Sequence, residues 1–93
     1  MSEAMSRVPE LWQGTFLSVR EIPGRGLCAV QRFAYTCGLL LNVRFDGLTY
    51  FYDARYCYPL MSDAVEDLRE WGGEGDPPGD WVKEKVSERG RHD

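Results

Sequence analysis

Residues 38–58 read GLLLNVRFDGLTYFYDARYCY, with alternating residue types on both sides of Asp46-Gly47. An Asp-Gly pair between two alternating runs is a strong signal for a β-hairpin, because a two-residue type I′ turn needs a positive φ at both central positions. We therefore predict one long hairpin with Asp46 and Gly47 as its turn. The rest of the chain is predicted to cover this hairpin.

The turn fixes the predicted register and the two faces of the hairpin. Cross-strand partners share a face, and successive residues alternate between the faces. The predicted core face holds four pairs: Phe45 with Leu48, Val43 with Tyr50, Leu41 with Tyr52, and Leu39 with Ala54. The opposite face, which we expect to meet solvent or a partner, holds Arg44 with Thr49, Asn42 with Phe51, Leu40 with Asp53, and Gly38 with Arg55.

The segment before the hairpin favours two more strands. β-branched and aromatic residues predict a first strand over residues 11–22, and Pro23-Gly24 is typical of a type II turn that leads into a second strand over residues 27–35. Because a glycine such as Gly38 often marks a bend, the second strand and the hairpin's first strand are also compatible with one long bent strand.

One helix is predicted after the hairpin, with Ser62 as its N-cap, residues 63–71 as its body and Gly72-Gly73 as its end. An apolar stripe should face the core and the charged residues should face outward: Ala64, Val65, Leu68 and Trp71 inward, Glu66, Asp67, Arg69 and Glu70 outward. The tyrosines at even positions of the preceding strand are predicted to pack under this helix: Tyr50, Tyr52, Tyr56 and Tyr58. Residues 74–80 read as an extended loop.

These elements predict an α+β fold, in which an antiparallel β-meander of three or four strands carries one main helix packed on one face. Residues 81–86 fit a short helix or an edge strand, and we favour an irregular segment or a short strand. Ninety-three residues suffice for one domain. We predict a flexible N-terminal arm over residues 1–10, a single domain over residues 11–86 and a charged C-terminal tail over residues 87–93.

Composition indicates a folded, acidic protein. Hydrophobic residues make up 43% of the chain, which is enough for a packed core. No run approaches the roughly 18 apolar residues of a membrane span, and residues 1–10 lack the pattern of a signal peptide. We therefore expect a soluble cytoplasmic protein with no membrane partner.

The net charge of −4 is unevenly distributed along the chain. Residues 1–60 contain six basic and five acidic residues, whereas residues 61–93 contain five basic and ten acidic ones. Neutralisation of phosphates supplies most of the affinity for duplex nucleic acid. An acidic balance therefore argues against a broad basic surface that binds duplexes.

No residue spacing predicts catalysis, a cofactor or a metal site. Cys28, Cys37 and Cys57 are odd in number and form no C-x-x-C motif, so we expect reduced thiols, with Cys37 and Cys57 on opposite faces of the sheet. His92 is the only histidine and lies in a charged segment, which leaves a Ser-His or Cys-His pair without a fixed base. We predict that the protein is not an enzyme.

The candidate contact surface is the face of the hairpin opposite the core. Phe51 would be flanked there by Asn42, Arg44 and Arg55, so this face offers both apolar area and positive charge to a partner. An aromatic residue with basic neighbours on an open sheet can stack single-stranded bases, and it also occurs on ordinary sheet surfaces and in protein interfaces. Because the whole chain is acidic, we rank a small protein-binding module first and a single-stranded nucleic-acid binder second.

Three segments form a distinctive combination: REIPGRGLC at residues 20–28, ARYCY at residues 54–58 and GDPPGDWVK at residues 75–83. Together they resemble small phage- and prophage-encoded proteins of proteobacteria that have no assigned activity. The resemblance covers about residues 15–85 and carries over no catalytic residue. It implies a mobile-element context, in which small acidic proteins often bind and block a host protein.

Overall fold

A computed structural model describes residues 4–79 and the backbone of residues 83–86. Within these residues lie seven strands and one α-helix: β1 (Phe16–Ile22), β2 (Gly26–Arg32), β3 (Cys37–Leu41), β4 (Arg44–Asp46), β5 (Thr49–Phe51), β6 (Ala54–Tyr58), α1 (Met61–Glu70) and β7 (Lys83–Val86). One antiparallel sheet has the order β1-β2-β3-β6-β7, and β4 pairs with β5 in a second sheet. The predicted α+β fold with one main helix on one face of an antiparallel meander is confirmed.

The predicted turn between the first two strands is also confirmed. Arg25 N donates to Ile22 O at 2.9 Å, and Gly24 has the positive φ (81°) that a type II turn needs at its third position. β1 begins only at Phe16, because residues 10–12 form a 3₁₀ turn. A four-residue turn, closed by a hydrogen bond from Phe33 N to Thr36 O, separates β2 from β3, so the bent-strand alternative is wrong.

α1 covers one face of the sheet with its predicted apolar stripe. Ala64, Leu68 and Trp71 are buried, and Val65 packs beside them. Arg20 of β1 donates from Nη1 to Leu68 O at 2.8 Å and also to Trp71 O, which satisfies carbonyls that the helix end leaves open. The described residues contain no helix with the length and apolar character needed to cross a membrane.

The helix begins earlier than predicted. Its N-cap is Leu60, which is still in an extended conformation (φ −115°, ψ 131°), and Met61 is its first residue. Because the chain enters the helix directly after Pro59, Ser62 already lies inside the first turn, and its prediction as the N-cap is wrong. Asp67, predicted to face outward, is half-buried, with its Oδ2 atom sealed from solvent.

The central hairpin is bent, which its alternating pattern does not predict. β3 and β6 belong to the main sheet, β4 and β5 form a separate tip, and the ladder is interrupted at residues 42–43 and 52–53. Asn42 has φ 55°, a left-handed conformation that asparagine adopts more readily than most residues. Val43 N then donates to Leu27 O at 2.7 Å, so the tip folds back over one face of the main sheet.

The predicted register is wrong by two residues. Phe45 pairs with Tyr50, not Leu48, and Leu41 pairs with Ala54. Gly47 (φ 61°) and Leu48 form the turn, and Leu48 has a negative φ, since Asn42 is the one described non-glycine residue with a positive value. These signs are those of a type II′ turn, which needs a positive φ only at its first central residue.

The bend divides the predicted core face between two hydrophobic cores. The helix-side core, under α1, comprises Ile22, Cys28, Val30, Cys37, Leu39, Leu41, Ala54, Tyr56, Tyr58, Ala64, Leu68 and Trp71. The hairpin-side core, under the tip on the opposite face, comprises Val8, Phe16, Val19, Leu27, Ala29, Leu40, Val43, Tyr50 and Tyr52. Leu40, predicted to face outward, is therefore buried, and Leu48, predicted to lie in the core, is 80% exposed.

The tyrosines follow this division. Tyr56 and Tyr58 pack under the helix as predicted, but Tyr50 and Tyr52 pack under the tip. Because the bend exchanges the faces of the hairpin relative to the main sheet, even positions on either side of residues 52–53 reach different cores. The prediction that all four tyrosines lie under one helix is wrong for this reason.

Residues 4–12 complete the hairpin-side core. They contain two 3₁₀ turns, Ala4–Arg7 and Glu10–Trp12, and Val8 between them is 2% exposed. Arg7 forms an ion pair with Glu21 of β1. Within the arm predicted to be flexible over residues 1–10, Ala4, Met5 and Val8 pack on this core, whereas residues 6, 7, 9 and 10 are exposed. The charged tail predicted over residues 87–93 lies outside the described residues.

Gly47→Val is expected to destabilise the protein by about 1–2 kcal/mol, because a β-branched residue resists the positive φ of Gly47. No other group lies within 4 Å of the added Cβ position, so the cost is one of backbone conformation. Equilibrium urea unfolding measures it. Gly14→Val is the matched control, since Gly14 has equally open surroundings without a positive φ. Equal stability of the two variants would contradict the assigned turn.

Candidate functional site

A hydrogen-bonded group of three side chains holds the bend of the hairpin. Asn42 Nδ2 donates to Asp53 Oδ2 at 2.8 Å, and Arg44 Nη1 donates to Asp53 Oδ1 and to Asn42 O, both at 2.9 Å. Asp53 N donates to Leu41 O at 2.9 Å and ties the second strand to the first at the same level. Asn42 and Arg44, two of the predicted partner-binding residues, thus have a structural role at the base of the tip.

Asp53→Asn is expected to make the protein less sensitive to acid. The hydrogen bond from Asn42, supported by Arg44, holds the pKa of Asp53 below its ordinary value of 3.8. A carboxyl with a lowered folded-state pKa stabilises the fold above its unfolded pKa, and that stabilisation disappears as the pH falls through the folded pKa. Since the pair is exposed, the effect should be about 0.2–1 kcal/mol.

Thermal unfolding between about pH 6 and pH 2 measures this effect, because the window spans the unfolded and the lowered pKa. The wild type should lose more Tm than Asp53→Asn as the pH falls below about 4. Asp46→Asn, which removes an exposed carboxyl from the same hairpin, is the control. If Asp53→Asn shows the same acid dependence as the wild type, the carboxylate does not stabilise the bend.

The outer side of the tip presents five residues, which we call the tip surface: Arg44, Asp46, Leu48, Thr49 and Phe51. Arg44 pairs with Phe51 and Asp46 pairs with Thr49, so each pair lies on one face of the two-stranded sheet. Leu48 projects from the turn between them and is 80% exposed. The structure therefore brings the predicted site residues Arg44 and Phe51 together, with Asn42 at their base.

Arg55, the fourth predicted site residue, lies elsewhere. It pairs with Leu40 in the main sheet, and its guanidinium carbon lies 4.7 Å from the centroid of the Phe33 ring. Arg55 thus belongs to the main sheet, whereas Arg44 and Phe51 belong to the two-stranded tip. The tip covers part of the sheet face on which the nucleic-acid interpretation depends, over the hairpin-side core.

Two depressions flank the bend. Their volumes are about 360 Å³ and about 400 Å³, and Gly26 and Asn42 line both of them. The charged side chains that line them already have partners: Arg25 with loop carbonyls, Arg44 with Asp53, and Arg7 with Glu21. The depressions are thus concave, but their charged side chains are already engaged in contacts within the protein.

Residues 20–28 and 54–58 both contact the loop of residues 72–79. Arg25 donates from Nε to Gly73 O at 2.9 Å and from Nη2 to Gly75 O at 3.0 Å. From β6, Tyr56 donates to Asp76 Oδ1 at 3.1 Å, and the hydroxyl of Tyr58 lies 3.4 Å from Pro78 O, its acceptor. Sequence reasoning predicted the loop but not these contacts, since spacing alone does not show which distant donors reach its carbonyls.

The chemistry of Tyr58 fits the role of a donor. Burial raises the pKa of its hydroxyl, and the neighbouring carboxylate of Asp67 raises it further. The hydroxyl therefore keeps its proton at neutral pH and donates to the loop instead of acting as a base. The contacts of Arg25, Tyr56 and Tyr58 with residues 72–79 thus give these three residues a structural role.

Metal ligation finds no support in the part of the chain that the structure describes, where no group of three or more His, Cys, Asp or Glu side chains could hold an ion. Cys28, Cys37 and Cys57 are free thiols, and burial raises the pKa of Cys28. Cys37 lies in the helix-side core, whereas Cys57 pairs with Gly38 and lies toward the opposite face, as predicted. His92 lies outside the described residues.

No family model, curated protein or solved structure matches this chain.

Proposed function

We propose that the protein is a small, non-enzymatic protein-binding module and that the tip surface is its contact surface. The observation that carries this proposal is the position of Leu48, which is 80% exposed at the end of a hairpin tip that is itself firmly packed. A large apolar side chain exposed at a tight turn adds nothing to the core of the monomer. It supplies apolar area that a partner can bury.

The packing beneath the tip supports this proposal, because a contact surface that is already ordered loses little conformational entropy on binding. Tyr50 of β5 is buried, with ring contacts to Trp12 at 4.9 Å and Phe16 at 5.6 Å between centroids. Its hydroxyl donates to Gln31 Oε1 at 2.6 Å. Phe45 of β4 adds an edge contact with Phe16 at 6.2 Å.

The composition of the tip surface indicates the chemistry of the partner. Leu48 and Phe51 provide apolar area, and Arg44 and Asp46 place opposite charges beside it. A shallow apolar pocket with polar groups at its rim is complementary to such a surface. The resemblance to phage and prophage proteins suggests a host protein as the partner, which the module would modulate or inhibit.

Affinity capture from a host lysate, with and without nuclease, tests this function. Leu48→Ser and Phe51→Ala should each weaken capture of the recovered protein by about fivefold or more, as expected for central interface residues. Leu11→Ser is the matched control, because Leu11 is also exposed but lies outside the tip surface. Capture that survives nuclease and is sensitive only to the tip variants supports the proposal.

Two results would contradict the proposal. If the tip variants and Leu11→Ser weaken capture equally, the tip surface is not the contact surface. Loss of all captured protein on nuclease treatment would show that nucleic acid mediates the association.

A further inference from the structure

Arg55 belongs to a flat platform on the main sheet, formed with Phe33 and Gly38. The Phe33 ring crosses over Gly38, where an added Cβ would lie 2.6 Å from Phe33 Cε2 and 3.1 Å from Arg55 Cγ and Cδ. The guanidinium carbon of Arg55 then lies 4.7 Å from the ring centroid. Only a residue without a side chain at position 38 allows the ring and the arginine to lie this close to the sheet.

The positive charge of Arg55 has no carboxylate partner within salt-bridge distance among residues 4–79. Its Nε is buried and makes no hydrogen bond with that part of the chain. Since the side chain as a whole is half-buried, a ligand would reach the guanidinium through its two Nη groups. Stacking on Phe33 thus holds the Arg55 side chain in place, and its charge and its Nη donors can reach a ligand.

An exposed aromatic ring lies in the turn next to the platform. Tyr35, in the same β2–β3 turn as Phe33, is 95% exposed. In the ladder between β6 and β7, Lys85 is the partner of Arg55 and Lys83 is the partner of Cys57. Glu84, the partner of Tyr56, occupies the register position between these two lysines.

We propose that the platform of Phe33, Gly38 and Arg55, together with Tyr35, binds single-stranded nucleic acid without sequence preference. Tyr35 would stack a base, and the Nη groups of Arg55 would donate to phosphate oxygens. This activity goes beyond the proposed function and uses residues outside the tip surface, so each can fail without the other.

Single-stranded nucleic acid fits these residues better than an acidic peptide does. Bases stack on exposed aromatic rings and on guanidinium planes, and the stacking tolerates any base because every base has a π-face. An acidic peptide needs cations but gains little from an exposed tyrosine. The pairing of stacked arginine with exposed Tyr35 therefore favours the nucleic acid.

Fluorescence anisotropy with a labelled oligothymidylate tests the proposal at salt concentrations from about 50 to 200 mM. Tyr35→Ser should weaken binding by about fivefold or more, as loss of one stacked base predicts. Arg55→Gln should reduce the slope of log affinity against log salt by about 0.7, which corresponds to one lost phosphate contact on a single strand. Arg69→Gln, an equal loss of charge on the exposed side of α1, should leave the slope unchanged.

Several outcomes would overturn the proposal. The first is that the wild type does not bind oligothymidylate at the lowest salt concentration. The second is that Arg55→Gln and Arg69→Gln reduce the salt slope equally. The third is that the protein binds a polyglutamate peptide in place of the oligonucleotide. Because Tyr35 is 95% exposed, Tyr35→Ser keeps its fold and tests the site even if Arg55→Gln does not fold. Unchanged oligonucleotide affinity in Tyr35→Ser would also overturn it.

Discussion

Leu68→Ala should lower the free energy of unfolding by about 2–5 kcal/mol. Leu68 is completely buried in the helix-side core, where α1 packs on β1, β2, β3 and β6. Removing its side chain loses buried apolar area and leaves a cavity, because the strands beneath the helix can close only part of the space. Urea unfolding of the purified variant measures the loss.

Leu60→Ala is the matched control for this experiment. It removes the same atoms from a side chain that is 58% exposed at the start of the same helix, so its effect should stay within about 0.5 kcal/mol. If Leu68→Ala were as stable as the wild type, α1 would not pack on the sheet in the way described.

Gly26→Ala is the second variant with a large expected effect, about 2–5 kcal/mol. A positive φ (75°) at position 26 would cost an L-residue about 1–2 kcal/mol, and the new Cβ would collide with Asn42 Oδ1 and lie 3.2 Å from Asn42 Cα. Overpacking against a fixed neighbour adds about 1–3 kcal/mol. The variant should also weaken partner capture, because it displaces Asn42 and with it the base of the tip.

Gly24→Ala separates these two contributions. Gly24 lies two residues earlier, in the turn before β2, with a similar φ (81°), but no other group lies within 4 Å of its added Cβ position. The difference in unfolding free energy between the two variants therefore measures the contact with Asn42. Equal losses of stability would mean that Gly26 does not hold the bend.

The main helix could be predicted because its signal is local. The spacing of Ala64, Leu68 and Trp71 defines one buried stripe whatever the helix packs against. The type II turn at Pro23-Gly24 was predictable for the same reason, since proline and glycine restrict their own dihedral angles.

The bend was not predictable from period-two alternation, because alternation assumes one flat strand. The available signal was the uninterrupted apolar run Leu39-Leu40-Leu41. It belongs to β3, in which every residue is buried. Such a run is typical of a strand covered on both faces. Reading it in that way would have placed Leu40 in a second core.

The candidate site was predictable only in part, and the bend is again the reason. Arg44 and Phe51 lie on the same strand pair of the tip, so a register error of two residues leaves them on one face. Arg55 lies beyond the bend, where the face is exchanged. Its stacking on Phe33 depends on a turn between two other strands and on the glycine at position 38, which hairpin periodicity cannot reveal.

The hydrogen bonds that hold residues 72–79 determine which positions of this loop tolerate substitution. Most of its acceptors are main-chain carbonyls, those of Gly73, Gly75 and Pro78, together with Glu74 O, which accepts from Trp71 Nε1 at 3.2 Å. A carbonyl is present whatever side chain a residue carries. An exposed position such as Glu74 is thus open to substitution, whereas the donors Arg25, Tyr58 and Trp71, which lie outside the loop, are not. Within the loop, Gly73 and Gly79 are also restricted, because their φ values are positive (94° and 91°) and a Cβ at either position would collide with a neighbouring side chain.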